Sequence, residues 1–356
     1  MQESEKKSGI TFSAADDRSP AKVTVIAEIG VNHDGDVVVG RRLIDTAAAC
    51  GADAVKFQYF HPDRLLSNQA ELAGYQAGQA ASQRELLARL ALPIDVLGGL
   101  VKHARSCGLA AVVTPFSPED PADLMGLGLD AMKTASPDAV NPPLLEACAA
   151  LGLPMLISTG TCSLDELEPA AALLRGHEAG GALLHCVSSY PTPMDQAQLG
   201  GIVAMREAFA LPVGYSDHTP GLQTGALAVM AGAVVIEKHL THDPSAKGPD
   251  HAASLGPEAF KQYVSDIREA QCAMGFIVKD VSDIERDVRR VSRQSVCVVR
   301  DLPAGHVLTR QDLTVKRPGT GLPATTLSTW VGKRLDIGVK ANELLKESDL
   351  VDKMPN

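Results

Sequence analysis

The chain has 356 residues, 45% hydrophobic and 21% charged, ordinary proportions for a globular protein and enough length for one large core plus a small appendage. With 4% aromatics and a formal net charge of −10, its surface repels phosphate backbones and anionic lipid and offers few stacking platforms, which excludes a nucleic-acid or membrane-surface partner as the first expectation. No apolar run approaches the ~18 residues of a membrane span. Met1–Pro20 is polar with no apolar leader, and the seven cysteines are scattered without a CxxC pair, so a cytoplasmic protein with free thiols is expected.

Residues 1–20 read as a solvated tail. Short apolar runs then recur at Val23–Ile29, Ala54–Tyr59, Ala110–Thr114, Ala131–Ala135, Pro154–Ser158, Ala182–Val187, Pro212–Tyr215 and Val234–Lys238. Helical apolar spacing separates most of them, at Val37–Cys50, Ala122–Leu127, Pro143–Ala150, Leu164–Leu174 and Thr224–Ala231. The phrases CGADAV, CGLAAVV, LGLDAM, LGLPMLI and AGAVVI place a glycine between helix and strand, the signature of a left-handed helix cap. Eight such repeats predict an α/β fold, a closed (β/α)8 TIM barrel over 21–278. An open doubly wound sheet is the alternative, disfavoured because no Gly-rich dinucleotide fingerprint follows the first strand. The stretch from His61 to Pro93 is long for a strand-to-helix connection and is expected to overhang the catalytic face.

Phe260–Phe276 reads as the last barrel helix, and 279–292 as a charged linker helix long enough to reach a neighbouring chain. From Arg293 the texture changes to short β-like runs broken by Pro-Ala-Gly and Pro-Gly, giving a small β-rich domain at 293–353. Lys279 to the end carries a net +3 against −13 before it, as expected of a small domain that docks on an acidic body.

In a barrel, side chains at the C-terminal strand ends face the active site. Here they are unusually polar: Glu28, followed by Asn32 and His33; Lys56 and Gln58; Thr114; Lys133 and Ser136; Ser158; Ser188 and Tyr190; Ser216 and His218; Glu237 and His239. A lysine inside an apolar strand can simply snorkel or pair with a carboxylate. Two of them, with several hydroxyls on one face, instead suggest a pocket for phosphate or carboxylate, although one lysine could serve as a Schiff-base nucleophile. His218 and His239 end neighbouring strands, ~5 Å apart, and could share a divalent metal, with a labile Mn-type or Mg-type ion fitting better than closed zinc. In the loop after the eighth strand, a Gly-Pro turn aims Asp250 and His251 at the barrel mouth.

The motifs AEIGVNHDG, VKFQ, TPFS, KTAS, ISTG, SSYPTP, YSDHT, EKHLT, GPDH and VKRPGTG, in that order across 22–350, resemble the sialic acid synthases, the N-acetylneuraminate and N,N'-diacetyllegionaminate synthases and their relatives. The resemblance implies a TIM barrel joined to an antifreeze-like (SAF) domain. It also implies condensation of phosphoenolpyruvate with an N-acetylated amino-sugar aldose to a nine-carbon keto acid, assisted by a divalent metal, manganese first, magnesium or cobalt otherwise. Carried over by motif, phosphoenolpyruvate is held by Lys56, Thr114, Lys133, Ser136, Ser158 and Ser216, and the metal by His218 and His239. Glu28, Gln58, Tyr190 and Asp250 handle the sugar, with Glu28 managing proton transfers, while Arg317 reaches the N-acetyl group from the partner subunit of a domain-swapped homodimer. Ser188 stands where several neuraminate synthases have Asn, and GPDHAASL resembles the legionaminate-type branch, so the expected sugar is N-acetylmannosamine or its 2,4-diacetamido-2,4,6-trideoxy analogue. A Schiff-base aldolase and a non-catalytic coat protein on the same barrel are the competing readings.

Overall fold

The computed structural model describes residues 10, 12, 22–69, 82–275 and 277–351. Eight strands, β1 (Thr24–Gly30), β2 (Ala54–Tyr59), β3 (Ala110–Pro115), β4 (Ala131–Thr134), β5 (Met155–Ser158), β6 (Gly181–Cys186), β7 (Val213–Asp217) and β8 (Val235–His239), form a closed parallel barrel in chain order. Closure is explicit in the register: β1 pairs with β2 on one side and with β8 on the other, Glu28 lying opposite both Lys56 and His239. The TIM barrel expected from the eight repeats is therefore the fold, and the open sheet is not. Strand limits differ from the apolar runs by one or two residues, because polar strand-end residues such as Ser216 and His239 stay in the ladder.

The strand period of two sorts each sequence into two faces. Val25, Ala27, Ile29, Val55 and Phe57 face outward into the main core against the helices. The opposite parity fills the barrel axis. Its lower layer is apolar, with Ile26, Ala54, Ala110, Val112, Ala131, Leu156, Ala182, Leu184 and Val235 in one cluster. Two residues further along the same faces come Glu28, Lys56, Thr114, Lys133, Ser158, Cys186 and Glu237. One parity rule thus closes the bottom with hydrocarbon and lines the top with functional groups. Ile10 and Phe12 pack against the bottom cluster, so the expectation of a solvated tail fails at these two apolar residues; the rest of 1–20 lies outside the described residues.

All five phrases between helix and strand carry their glycine at positive φ, for instance Gly51 at 83° and Gly232 at 100°. At Gly232 a side chain would also meet the Arg206 guanidinium, so glycine serves there both for backbone sign and for space. Helices run Val37–Ala49, Asp120–Leu124, Pro142–Ala149, Leu164–Gly176 and Thr224–Met230, close to their expected spans. Ile94–Ser106 and Gly200–Phe209 are helices as well, and the sequence reading did not single them out. The connection after β2 contains the short helices Pro62–Leu65 and Gln83–Leu90. The last barrel helix is Pro257–Met274; Phe276 lies outside the described residues.

The chain divides into two compact units at Ile277/Val278. In the second, β9 (Ser295–Val298) and β10 (Leu313–Lys316) form an antiparallel pair over a core of Val296, Val298, Leu313, Trp330, Leu335 and Leu345. The linker helix expected over 279–292 is shorter: a turn at Asp283–Glu285, opened by a Ser282–Glu285 capping box, leads into helix Arg286–Ser292. None of these helical residues is buried, so no packed face extends the helix to Lys279.

Candidate active site

A cavity of about 460 Å³ opens at the C-terminal ends of the barrel strands. Lys56, Gln58, Thr114, Lys133, Ser136, Ser158, Ser188, Tyr190, Ser216, His218, His239 and Asp250 all line it, so the barrel gathers twelve of the expected residues from seven strands and their loops. Glu28 sits just beneath. It is fully buried, its Oε1 accepts a 3.0 Å hydrogen bond from Gln58 Nε2, and its Oε2 lies 2.9 Å from Lys56 Nζ.

Charges dominate the floor. Lys56 Nζ also lies 3.4 Å from Glu237 Oε1 and donates to Thr114 Oγ1 at 3.4 Å. Burial favours the neutral amine, but Glu237 and Glu28 outweigh it and hold Lys56 charged. Lys133 Nζ donates to Ser158 Oγ and the Thr134 carbonyl. With hydroxyl and carbonyl partners instead of a close carboxylate, burial pushes its amine down to about 8. The two floor lysines therefore differ electrostatically. Burial raises Glu28 to about 7, against the pull of Lys56 and aided by the neighbouring Glu237 charge. Glu237 goes the other way, to about 2: burial opposes ionisation, but Lys133, Lys56 and the Ser216 hydroxyl overcome it. Two neighbouring carboxylates are thereby pushed in opposite directions, Glu28 up and Glu237 down.

Beside this floor stand the two imidazoles, with ring centroids 5.4 Å apart, and Tyr190 lies over His218 at 4.2 Å. His218 Nδ1 donates to the Val187 carbonyl at 3.0 Å, which leaves the lone pair on Nε2. His239 is held neutral by burial first, with Lys56 acting in the same direction. Its Nδ1 is buried without a hydrogen-bond partner, 3.6 Å from Asp250 Oδ2. A neutral ring with an unspent buried nitrogen and a carboxylate beside it fits a divalent cation. Closer groupings of three ligand-type side chains occur elsewhere among the described residues, but the His61–Asp120–Asp123 group is already bridged by Arg64.

Three residues depart from the sequence reading. His251 does not line the cavity; it is fully buried, bonded to Thr241 at 2.6 Å and to Asp34 at 3.1 Å, and so ties loops together. Asn32 likewise braces β1 against the β8 loop through the Leu240 carbonyl and Ser254. Glu237, the anion between both lysines, received no role from the sequence, although its position two before His239 on one strand face was the available signal. Arg317 belongs to the second unit, where it is exposed in a pocket also lined by Arg286, Arg289, Arg290 and Arg293.

Fold and site together define a barrel protein whose second unit, over residues 293–351, matches the SAF domain. The chain belongs to the NeuB family, whose model matches residues 43–279. It is 39% identical over 329 residues to the N,N'-diacetyllegionaminic acid synthase of Legionella pneumophila, covering 90% of this chain and 92% of that one. Among solved structures, a putative spore coat polysaccharide biosynthesis protein E from Chromobacterium violaceum superposes with a TM-score of 0.80 at 26% identity, covering 93% of this chain and 100% of that one. N-acetylneuraminic acid (sialic acid) synthetase from Leptospira borgpetersenii, in complex with citrate, gives 0.68 at 31% identity over 75% of this chain and 90% of its own. Among the described residues no helix is long and apolar enough to cross a membrane.

Proposed function

We propose that this protein is a nonulosonic acid synthase, joining phosphoenolpyruvate to an N-acetylated amino-sugar aldose and releasing phosphate. The observation that carries the reading is the cavity floor, where Lys56 and Lys133 meet the hydroxyls of Thr114, Ser136, Ser158 and Ser216 around a space open to the imidazole pair. A doubly anionic phosphate with an adjacent carboxylate is the ligand class such a floor suits. Similarity to proteins named N,N'-diacetyllegionaminic acid synthase supports the 2,4-diacetamido-2,4,6-trideoxy sugar over N-acetylmannosamine as the substrate proposed for this chain.

In this reaction the enol carbon C3 of phosphoenolpyruvate forms a bond to the aldehyde carbon, whose oxygen takes up a proton. Water adds at C2, and the C2–O bond to phosphate then breaks, leaving the keto group and inorganic phosphate. His218 and His239 would hold a divalent ion, which when bound polarises the aldehyde oxygen. Lys56 and Lys133 hold the anionic groups in attack geometry. Glu28 titrates near 7, which suits it to take the proton from the adding water and return one during collapse. Gln58, bonded to Glu28, holds that carboxylate's other oxygen in place. We assign Tyr190 and Asp250, which line the cavity beside the imidazoles, to the sugar, and Ser188 with them. We assign Arg317 to the N-acetyl group, delivered by the partner in a domain-swapped homodimer; the basic second unit and acidic barrel support that pairing.

The test is phosphate release with phosphoenolpyruvate and each sugar. A second reading has one specific support: the lowered pKa of Lys133 is what a Schiff-base lysine needs. Borohydride with substrate present covalently labels a lysine only if that reading holds. The synthase reading requires phosphate release without trapping.

A further inference from the structure

The cavity has two chemically different ends. Its floor is the charged set described above. The opposite side is formed by the connection after β2 together with Phe116 of the β3 loop: Leu65, Leu66, Leu86, Leu87, Leu90 and Phe116 line it, with Gln83 the polar side chain among them. Leu86 and Leu90 are buried and anchor this side with Val31 and Phe60 in a separate hydrophobic cluster. Leu65, Leu66, Leu87 and Phe116 are only half-buried, so they present hydrocarbon to the cavity. Phe60 and Phe116 brace one another edge to face at 5.8 Å. The wall is also fastened: Arg64, next to Leu65, bonds Asp120 at 2.8 Å and Asp123 at 2.6 Å, and Asp120 in turn accepts from the Phe116 and Ser117 amides. These bonds hold the Leu65 and Phe116 part of the apolar surface in place, which favours recognition there.

We propose that Leu65, Leu66, Leu87 and Phe116 form a specificity wall that reads the far end of the sugar and selects a terminal methyl group over a hydroxymethyl group. The inference rests on the synthase reading. Phosphoenolpyruvate belongs on the charged floor, so the aldehyde carbon it attacks must face that floor. The open-chain aldose then extends away, and C6 at its other end meets the leucines. A C6 hydroxyl there would be set against leucines and a phenylalanine that cannot hydrogen-bond, Gln83 being the one amide nearby, whereas a 6-deoxy carbon makes apolar contact. Gln83 supplies one neutral amide on this wall, suited to an acetamido group and not to a charge.

A matched pair of sugars isolates the effect: 2-acetamido-2,6-dideoxymannose and N-acetylmannosamine differ only by the C6 hydroxyl. In the wild-type protein, kcat/KM for the deoxy sugar exceeds that for N-acetylmannosamine by about 10- to 100-fold, the range for rejecting a hydroxyl or missing a methyl contact in an apolar pocket. Leu66→Gln and Leu87→Gln bring that ratio down by about tenfold while the KM for phosphoenolpyruvate and the thermal midpoint stay near wild type. A wild-type ratio near one, or variants that keep the wild-type ratio, overturns the wall. Sugar binding measured by calorimetry in parallel separates this from the parent reading. Tighter binding of the deoxy sugar without phosphate release overturns the synthase and supports the wall. Phosphate release at equal specificity for both sugars overturns the wall and supports the synthase.

Discussion

Lys56 is the cation between two fully buried carboxylates, 2.9 Å from Glu28 and 3.4 Å from Glu237. Replacing it with methionine keeps most of the volume and removes the charge. Breaking one partner out of a buried ionic cluster costs about 3–5 kcal/mol, because the remaining charges stay desolvated. For a barrel of this size that is a fall of roughly 6–10 °C in thermal midpoint. The loss depends on pH with a definite sign. Glu28 already has its folded pKa raised from 4.5 to about 7 with Lys56 in place, and without the lysine it rises further. A carboxyl whose folded pKa lies above its unfolded value is penalised when ionised, and the penalty fades as pH falls through the folded pKa. Lys56→Met should therefore be most destabilised at pH 8 and recover toward pH 5.5, and Glu28→Gln added to it should restore part of the loss at pH 8. Thermal melts of wild type, both single variants and the double variant across pH 5.5–8 form the cycle. A Lys56→Met loss below about 1 kcal/mol, the level of an ordinary surface change, or one that does not vary with pH, would refute this account of the floor.

The remaining expectations concern the metal, the space around the anion and the assembly. His218→Ala and His239→Ala should each abolish calorimetric binding of Mn2+ and turnover while leaving the thermal midpoint within a few degrees; undiminished binding in both sinks the assignment. At Gly160 an added Cβ would lie 2.3 Å from Ser188 Oγ and 2.9 Å from Ser136 Oγ. Gly160→Ala should consequently displace both hydroxyls, costing about 1–3 kcal/mol of stability and raising a substrate KM by roughly tenfold; unchanged kinetics would remove these serines from the site. A randomly assorted mixture of Arg317→Ala and His239→Ala subunits should regain about a quarter of wild-type activity if each second unit completes the other chain's barrel, and none if it completes its own.

How much of this was legible follows from what each residue had to satisfy. The barrel could be read because its strands are buried on both faces and its helix-to-strand returns need positive φ, which writes glycine into Gly51, Gly108, Gly128, Gly152 and Gly232. Polar residues at strand ends stood out because they interrupt apolar runs, which is how Lys56, Lys133 and His239 were found. Glu237 was in the same strand-end set but received no role, because a carboxylate between two lysines is defined by its partners on other strands and sequence carries no cross-strand distance. His251 misled for the converse reason: its loop motif pointed at the mouth, but hydrogen bonds to Thr241 and Asp34 turn it into a brace. The helix expected over 279–292 came out shorter, Arg286–Ser292, because charge pattern alone, with no face to bury, does not extend a helix.

One strand parity does two opposing jobs in this barrel, and the conflict explains where the chemistry sits. Along β8, Val235 belongs to the apolar bottom layer, Glu237 to the charged floor and His239 to the imidazole pair, all facing the axis. Moving Glu237 one residue either way would turn it outward, toward the layer where Ile236 packs against the helices. Charge is concentrated on the axis while the outward parity supplies a mostly hydrophobic shell, interrupted at the buried Lys238–Asp217 pair, 3.2 Å apart. That shell must bear the desolvation cost of the buried floor charges. Glu28 and Lys133 show where compensation stops, with a carboxyl raised to about 7 and an amine lowered to about 8. These two shifts bring proton exchange toward neutral pH, which makes the incompletely paired groups at the top of the barrel the first candidates for acid–base work in the proposed reaction.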